Sequence, residues 1–240
     1  MVYDDRGAAA FEADRHIPEQ GLVAWREAVA QYLDPQPGMR LLDLGAGTGM
    51  WAQAFTAWFT GLEVIAVEPS EAMRARWGHP GVLAGDAANI PLPDGSVDAV
   101  WLSTVVHHIP RLDAAARELR RVVRPGGTVL IRSAFAGRHE AITLFRYFPE
   151  AVRVLNGYPS VADVEAAFAA HGFGAVALEQ VPQITAPSLA VAVASLRREA
   201  HTPLQLITDD EYAAGVARLR QAAAIDSGPV IDALDLLVLR

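Results

Sequence analysis

A glycine-rich turn directly after the first apolar segment is the feature that most restricts what this chain can fold into. Residues 39–44 are mostly apolar and predict a buried strand, which ends in Gly45-Ala-Gly47-Thr-Gly49. Residues 51–59 then show the spacing of a helix. A strand, a glycine-rich turn and a helix in this order form the nucleotide-binding crevice of an open α/β sheet. The chain is therefore expected to hold a nucleotide-type cofactor.

The same alternation of short apolar runs and helical segments continues along the chain. The further predicted strands are residues 63–67, 82–85, 97–103, 128–134, 175–181 and 230–239. The predicted helices are residues 19–33, 112–123, 161–171, 188–198 and 209–224, with a short helix after Ser70. This pattern indicates βαβ units around a buried parallel sheet. We predict a single domain over residues 1–240, with an N-terminal arm at 1–18, a cap insertion at 136–159, and another insertion before the last strand.

The composition excludes several classes of chemistry. Of 240 residues, 52% are hydrophobic and 20% charged, which is enough for a sizeable core. The chain has no Cys and no Lys, which rules out thiolate sites, a P-loop lysine and a Schiff-base lysine. A net charge of −8 argues against a nucleic-acid partner. Because neither a signal peptide nor an apolar run of membrane-spanning length is present, we expect a cytoplasmic protein without a membrane partner.

Two residues around the turn favour a cationic ligand over a dinucleotide. The dinucleotide pattern G-x-G-x-x-G requires a small third residue, and Met50 stands at that position. Asp43 lies two residues before the first glycine, where a carboxylate would repel a pyrophosphate but attract an ammonium or a sulfonium. S-adenosylmethionine carries both cations.

Acidic residues also end the second and third predicted strands. Glu68 is placed to accept hydrogen bonds from ribose hydroxyls. Asp86 can accept from the adenine amine, and the backbone N–H of Ala87 can reach a ring nitrogen. Each of these carboxylates alone could be a helix cap or a loop residue. Together with Asp43 they fit one cationic nucleoside.

Four motifs in sequence order carry a resemblance to a known family. They are LLDLGAGTGM at 41–50, VIAVEPSEAM at 64–73, LAGDAANIPLPDGSVDAV at 83–100 and RVVRPGGTVLI at 121–131. The chain resembles the class I S-adenosylmethionine-dependent methyltransferases, and within them the small-molecule branch similar to ubiquinone and menaquinone C-methylases. The likeness is strongest over residues 1–135.

The resemblance implies a Rossmann-like sheet of seven strands in the order 3-2-1-4-5-7-6. The last strand is antiparallel, helices cover both faces, and a helical insertion lies over the active site. It also implies a set of residues that contact S-adenosylmethionine and its product S-adenosylhomocysteine. These are Asp43, Gly45, Ala46, Gly47, Gly49, Glu68, Pro69, Met73, Asp86, Ala87 and Ser103, with Tyr3, Phe11 and Arg15 of the N-terminal arm.

The residues after the fourth strand are candidates for proton transfer. His107 and His108 are expected at the crevice, where a neutral imidazole suits proton removal near neutral pH. The pair could instead only shape the pocket. Tyr147 is the third catalytic candidate. We expect Tyr147 and Tyr158 in the wall of an apolar pocket and Phe148 in the core.

The reaction expected is methyl transfer by in-line displacement to a small, aromatic or prenylated metabolite, at carbon, oxygen or nitrogen. No metal is expected, and the protein is expected to be a monomer or a homodimer. Alternatives left open are an NAD-linked oxidoreductase, a relative that binds S-adenosylmethionine without methyl transfer, and use of that cofactor for other chemistry such as cyclisation.

Overall fold

A computed structural model describes residues 17–77 and 81–240 of the chain. Its centre is a seven-stranded sheet in the order β3-β2-β1-β4-β5-β7-β6. The first five strands in this order run parallel, and β7 is antiparallel to both β5 and β6. The predicted fold class, strand order and antiparallel last strand are confirmed.

The strands are β1 Arg40–Leu44, β2 Glu63–Glu68, β3 Leu83–Ala84, β4 Val97–Ser103, β5 Val123–Ser133, β6 Ala175–Ala186 and β7 Val230–Leu239. The α-helices are α1 Glu19–Leu33, α2 Met50–Trp58, α3 Glu71–Arg74, α4 Leu112–Val122, α5 Thr143–Tyr147, α6 Val152–Leu155, α7 Val161–Ala169, α8 Leu189–Ser195, α9 Thr202–Gln205 and α10 Asp209–Ala223. Short 3-10 turns lie at Val106–His108, Pro149–Ala151 and Arg198–Ala200.

Alternating side chains of the central strands build a core on each face of the sheet. Leu42 and Leu44 of β1 pack in one cluster with Leu119 of α4 and Phe168 of α7. Leu41 points the other way, toward α1 and α2. Because strand side chains alternate between faces, a strand buried on both sides is almost wholly apolar. The buried Asp43 is the exception in β1.

Aromatic residues dominate the core on the α1–α2 face. The rings of Trp25, Trp51 and Trp101 lie 4.9–6.0 Å apart, and Phe55 packs edge-on against Trp101. Edge-to-face contacts at these distances stabilise beyond simple burial. This cluster fixes α1 and α2 against the sheet just below the glycine-rich turn.

The two insertions pack together as one cap with a third core of its own. Phe148 and Leu155 of the first insertion belong to the same buried cluster as Leu204 and Leu219 of the second. Helix α10 approaches so closely that a Cβ on Gly215 would lie 2.0 Å from the Phe148 ring. Arg218 of α10 donates to the Tyr147 carbonyl (2.7 Å) and to Glu150 (2.6 Å), which ties the two insertions together.

Local structure departs from prediction mainly in the cap and in β6. Residues 144–155 share a helical spacing, but the helix is broken, because Pro149 lacks an N–H and restricts Phe148 before it. Strand β6 extends five residues beyond the predicted 181 and pairs there with β7, with one irregularity between Ile184 and Ala186. The predicted helix 188–198 is shorter and ends at Ser195. In the described part of the chain no helix has the length and hydropathy needed to span a membrane.

Candidate functional site

The glycine-rich turn lies at the carboxyl end of β1 and requires glycine for two reasons. Gly45 and Gly47 have φ values of 74° and 58°, in the left-handed region that side chains disfavour. A Cβ on Gly45 would also lie 2.7 Å from a Val105 methyl. The turn thus brings bare backbone to the sheet edge, where a ligand can approach it closely.

Glu68 at the end of β2 holds this turn in place. Its Oε2 accepts from the Gly47 N–H (2.8 Å) and its Oε1 from the Ser70 N–H (2.8 Å). Burial raises the pKa of Glu68, while the Ser70 and Gly47 N–H groups and Arg74 oppose that rise. The Gly47 N–H therefore points at a carboxylate, an arrangement that does not suit pyrophosphate binding.

Asp43 is buried behind the turn and does not line either of the cavities described below. It is 1% exposed and accepts a hydrogen bond from the Ala52 N–H at the start of α2. Burial, followed by the charge of Glu68, raises the pKa of Asp43 to about 8. Its Oδ2 is buried and has no hydrogen-bond partner among residues 17–77 and 81–240. A cation near the turn would stabilise this carboxylate.

A cavity of about 420 Å³ opens over the carboxyl ends of β1, β2 and β4. Most of the predicted cofactor residues form its wall: Gly45, Gly47, Glu68, Pro69, Met73, Asp86, Ala87 and Ser103. Asp86 Oδ1 accepts from the N–H groups of Ala88 and Asn89, which fixes the loop after β3. Gly49 lies outside this wall as the left-handed N-cap of α2.

A second, larger cavity of about 700 Å³ lies between the turn and the cap. Ala46 faces this cavity, with Trp51, Tyr147, Phe148 and Tyr158. The two cavities share five lining residues: Gly45, Gly47, Ser103, Thr104 and His107. A ligand in the small cavity can therefore meet a second ligand in the large one at this junction.

The two histidines differ in the cavities that they line. His107 lines both cavities, whereas His108 lines only the small one. The His107 ring stacks on Tyr158, with centroids 4.1 Å apart and planes 5° apart, and it lies 4.0 Å from the His108 ring. Tyr158 of the cap therefore holds the His107 imidazole in place at the junction.

The remaining candidates are placed as follows. Tyr147 lines the large cavity as expected, and Phe148 is both buried in the cap core and part of that wall. His139 and Glu140, at the start of the first insertion, line neither cavity. Tyr3, Phe11 and Arg15 lie outside the described residues.

Sequence reasoning missed Thr104 and Arg132. Thr104 has a φ of 55° and donates its N–H to the Arg132 carbonyl (2.7 Å), so a left-handed turn ends β4 at the junction. Nothing in the sequence marks this conformation. Arg132 did carry a signal, because it interrupts the apolar run of β5 with a charge.

Residues 42–131 match the protein family described as "Methyltransferase domain". This match covers β2 to β4, most of β1 and β5, the turn and the residues that line the small cavity, but not β6 or β7. These matched residues form a methyltransferase domain of the class I S-adenosylmethionine-dependent type. The cofactor of the family, S-adenosylmethionine, fits the residues present, with two buried carboxylates beside a glycine cradle and a buried Asp43 oxygen that lacks a partner among the described residues.

Named methyltransferases are similar to parts of this chain. A demethylmenaquinone methyltransferase from Corynebacterium kroppenstedtii is 35% identical over 45% of this chain and 47% of its own length. A malonyl-[acyl-carrier protein] O-methyltransferase from Methylococcus capsulatus is 36% identical over 72% of this chain and 62% of its own. The chain thus spans about half to three fifths of these curated relatives.

Among solved structures, an Anabaena variabilis protein assigned as a methyltransferase from an antibiotic biosynthesis pathway has the same fold. The TM-score is 0.72, with coverage of 91% of this chain and 97% of that chain. At 21% identity the likeness concerns the fold alone.

Proposed function

We propose that this methyltransferase alkylates a small, largely apolar metabolite, aromatic or prenylated, that occupies the large cavity. The observation that carries the proposal is the junction of two cavities at Gly45, Gly47 and His107. When bound, S-adenosylmethionine supplies a methyl group on a sulfonium that departs as a thioether. The task of the chain is to hold the acceptor in line with that methyl and to exclude water.

In this proposal the small cavity holds the cofactor. Glu68 accepts from ribose hydroxyls, since each carboxylate oxygen can accept more than its one backbone N–H. Met73 and Pro69 pack against adenine, and Asp86 with Ala87 recognises its edge. Ala46 faces the methionine end, while Gly49 and Asp43 support the turn from outside the cavity.

We assign proton transfer, where the acceptor must lose a proton, to His107 and not to His108. Only His107 of the pair faces the acceptor cavity, and stacking on Tyr158 holds its ring in one orientation. A positioned imidazole suits removal of a proton near neutral pH. His108 supports the His107 ring from the cofactor side.

The cap defines the acceptor class in this proposal. Tyr147, Phe145 and Leu155 give the large cavity an apolar wall, which favours a flat or prenylated molecule over a charged one of similar size. Residues 136–159 then act as the substrate cap of a single domain over residues 1–240. Two similar proteins are named for demethylmenaquinone and for malonyl-[acyl-carrier protein], so acceptors of both kinds belong in the test.

A panel assay tests this function. The purified protein is incubated with S-adenosylmethionine and phenols, indoles, amines, prenylated quinols or malonyl thioesters, and S-adenosylhomocysteine release is measured. Calorimetry with S-adenosylhomocysteine and with NAD in parallel tests the cofactor. We expect tight binding of the former, none of the latter, and turnover with at least one apolar acceptor. Tight binding without turnover across the panel would favour a relative that binds the cofactor without methyl transfer.

A further inference from the structure

Asp232 places a carboxylate in the wall of the large cavity. It lies near the start of β7, in register with Gln183 of β6, and it lines the large cavity but not the small one. A half-buried carboxylate needs hydrogen-bond donors, because its removal from water costs free energy. Asp232 has no part in the cofactor site, so we examined what its two oxygens bind.

The first oxygen of Asp232 attaches the first insertion to the sheet. Oδ1 accepts from the N–H of Thr143, the first residue of α5 (2.6 Å). Next to it, the Ala233 N–H donates to the Ala141 carbonyl (2.8 Å). Oδ1 therefore has a structural role, which one oxygen of the side chain is sufficient to fill.

The second oxygen is only weakly engaged. Oδ2 lies 3.3 Å from the Thr185 hydroxyl, whose single proton is shared with the Val230 carbonyl at 3.4 Å. A strong hydrogen bond between oxygens is about 2.7–2.8 Å long. Among residues 17–77 and 81–240, the Thr143 N–H and the Thr185 hydroxyl are the partners of this carboxylate. Oδ2 can therefore accept a strong bond from a ligand in the cavity.

The surroundings of Asp232 favour a neutral hydroxyl as that donor. A hydroxyl gives a carboxylate a short, charge-assisted hydrogen bond, about twice as strong as one between neutral groups. An ammonium could donate as well, but its transfer from water into a cavity with an apolar wall costs far more free energy. Phe145, Tyr147 and Leu155 supply that wall.

Asp232 also lies far from the junction of the two cavities. Ser103 at the junction is in register with Arg132 of β5, and Arg132 is in register with Leu236 of β7. Asp232 precedes Leu236 by four residues, which is about 13 Å along an extended strand. A group bound to Asp232 is therefore remote from the atom that receives the methyl group.

We propose that Asp232 is a hydroxyl-binding subsite at the end of the acceptor cavity remote from the cofactor. The acceptor is then an elongated apolar molecule with a hydroxyl at the end that is not methylated. This hydroxyl donates to Oδ2, while the Thr143 N–H keeps Oδ1. The inference rests on the proposed function, because that function identifies the large cavity as the acceptor site.

Binding of matched alcohols and methyl ethers tests the subsite without turnover, since an ether keeps the oxygen but has no proton to donate. The protein is titrated by calorimetry with S-adenosylhomocysteine, and the saturated complex is then titrated with each probe. The pairs are octan-1-ol with 1-methoxyoctane and 6-phenylhexan-1-ol with its methyl ether. We expect each alcohol to bind at least about tenfold more tightly than its ether.

Asp232→Asn should remove this preference. The amide keeps an oxygen for the Thr143 N–H but replaces the other oxygen with an N–H donor, so an alcohol and its ether should bind within about twofold of each other. Asp235→Asn is the matched control. Asp235 also ties the first insertion to β7, through Arg138 (2.7 and 2.8 Å), but lines neither cavity. We expect this control to lose stability and to keep the preference for alcohols.

Thr185→Val is a second variant, which leaves Asp232 in place. It removes the proton that competes for Oδ2, so the preference for alcohols should rise about threefold. This variant decides the question even if Asp232→Asn does not fold. Loss of the preference in Thr185→Val would contradict the subsite, because the threonine hydroxyl and not the carboxylate would then bind the alcohol.

Other outcomes would also overturn the subsite. If alcohols and ethers bind equally to the wild type, the cavity holds apolar ligands but Asp232 does not select a hydroxyl. If Asp235→Asn loses the preference as Asp232→Asn does, the effect comes from the attachment of the cap. If octylammonium binds tenfold or more tightly than octan-1-ol, the carboxylate serves a cation. Failure of the proposed function is distinct: S-adenosylhomocysteine, or every alcohol and ether, would then fail to bind.

Discussion

The two halves of the candidate site are built in different ways. The cofactor half consists mainly of backbone and short polar side chains at the ends of β1, β2 and β4, which are neighbouring parallel strands of one sheet. The acceptor half consists of large apolar side chains on short helices of two separate insertions. In the cofactor half, the glycines and carboxylates of the wall, such as Gly47 and Glu68, belong to none of the apolar core clusters, although Leu44 lies in both the wall and the core. In the cap, Phe148 serves both.

In the cofactor half, ligand binding and protein stability therefore depend largely on different residues. In the acceptor half, acceptor specificity and stability depend on the same residues. Glu68 and Gly47 can be required for a ligand without carrying much of the core. A cap residue that lines the cavity also supports the cap core, so an altered acceptor preference is expected to change stability as well. The predictions below test that separation.

The largest effect is expected from Phe148→Ala. The ring is 1% exposed, stacks on Tyr212, and lies against Gly215, so its removal should lower the free energy of unfolding by about 3–5 kcal/mol. Affinity for S-adenosylhomocysteine should change less than about threefold, because the ring is remote from the small cavity. Chemical denaturation and calorimetry measure the two quantities.

Phe168→Ala is the matched control for this variant. Phe168 is fully buried in the sheet core beside Phe173, away from both cavities. We expect a similar loss of stability with no change in acceptor KM, whereas Phe148→Ala should raise it. If Phe148→Ala and Phe168→Ala have the same KM for the acceptor, the residues that stabilise the cap core do not determine acceptor binding.

The second effect concerns Gly47→Val. A β-branched side chain at a φ of 58° is strained, and it would project into the junction of the two cavities. We expect more than about 100-fold weaker S-adenosylhomocysteine binding by calorimetry. Gly126→Val is the control, since Gly126 has a φ of 78° but open space around it and lines neither cavity. If the control weakens binding as much as Gly47→Val does, strain alone explains the loss.

The third effect separates the histidines. His107→Gln should lower kcat by about 100-fold if the imidazole removes a proton, with cofactor affinity within about threefold of the wild type. His108→Gln should lower kcat by less than about tenfold, because His108 does not face the acceptor cavity. A pH–rate profile that loses its acidic limb only in His107→Gln would identify the base. The reverse order of the two kcat values would contradict our assignment.

The sheet could be predicted from the sequence because the residues of each strand and its flanking turns form a recognisable local pattern. Short apolar runs separated by Gly, Pro and Asp specify β1 to β5, and the motif spacing places Glu68 and Asp86 at neighbouring strand ends. Glu68, Asp86 and Ala87 of the cofactor half follow from that order, whereas Pro69, Met73 and Ser103 are implied only by the family resemblance. The structure also refines the predicted set of cofactor residues, because Asp43 and Gly49 lie behind the small cavity and not in its wall.

The acceptor half could not be predicted in the same way. Its cavity arises where the helices of residues 143–155 and 189–223 meet, and contacts between distant segments are not visible in a periodic pattern. The stack of Tyr158 on His107 and the contact of Arg132 with Gln183 join residues 51 positions apart in each case. The sequence did indicate that Tyr147 and Tyr158 lie in an apolar wall, and the charge of Arg132 within an apolar strand is a further signal for this region.

The smallest effect is expected from Asp43→Asn and depends on pH. Burial and the charge of Glu68 raise the pKa of Asp43 from 3.8 to about 8, so between these values the unfolded chain releases a proton that the folded protein keeps. Stability from this group is present below the lower value and is lost as pH rises toward the upper one. Asparagine has no such proton, and the melting temperature of the variant should fall less between about pH 5 and about pH 8.

Cofactor affinity should depend on the ionisation of Asp43 in the opposite sense: it should rise with pH, whereas stability falls. A cation beside the turn favours the charged Asp43, so binding of S-adenosylmethionine should release a proton and tighten as pH rises toward 8. Because Asp43 does not line the cavity, we expect the wild type to bind only about five- to tenfold more tightly than the variant at about pH 8.5, and equally at about pH 6. Calorimetry in buffers of different ionisation enthalpy measures the released proton. If the wild type and Asp43→Asn release the same number of protons on cofactor binding, Asp43 does not ionise in response to the cofactor, and Glu68 alone supplies the negative charge beside the turn.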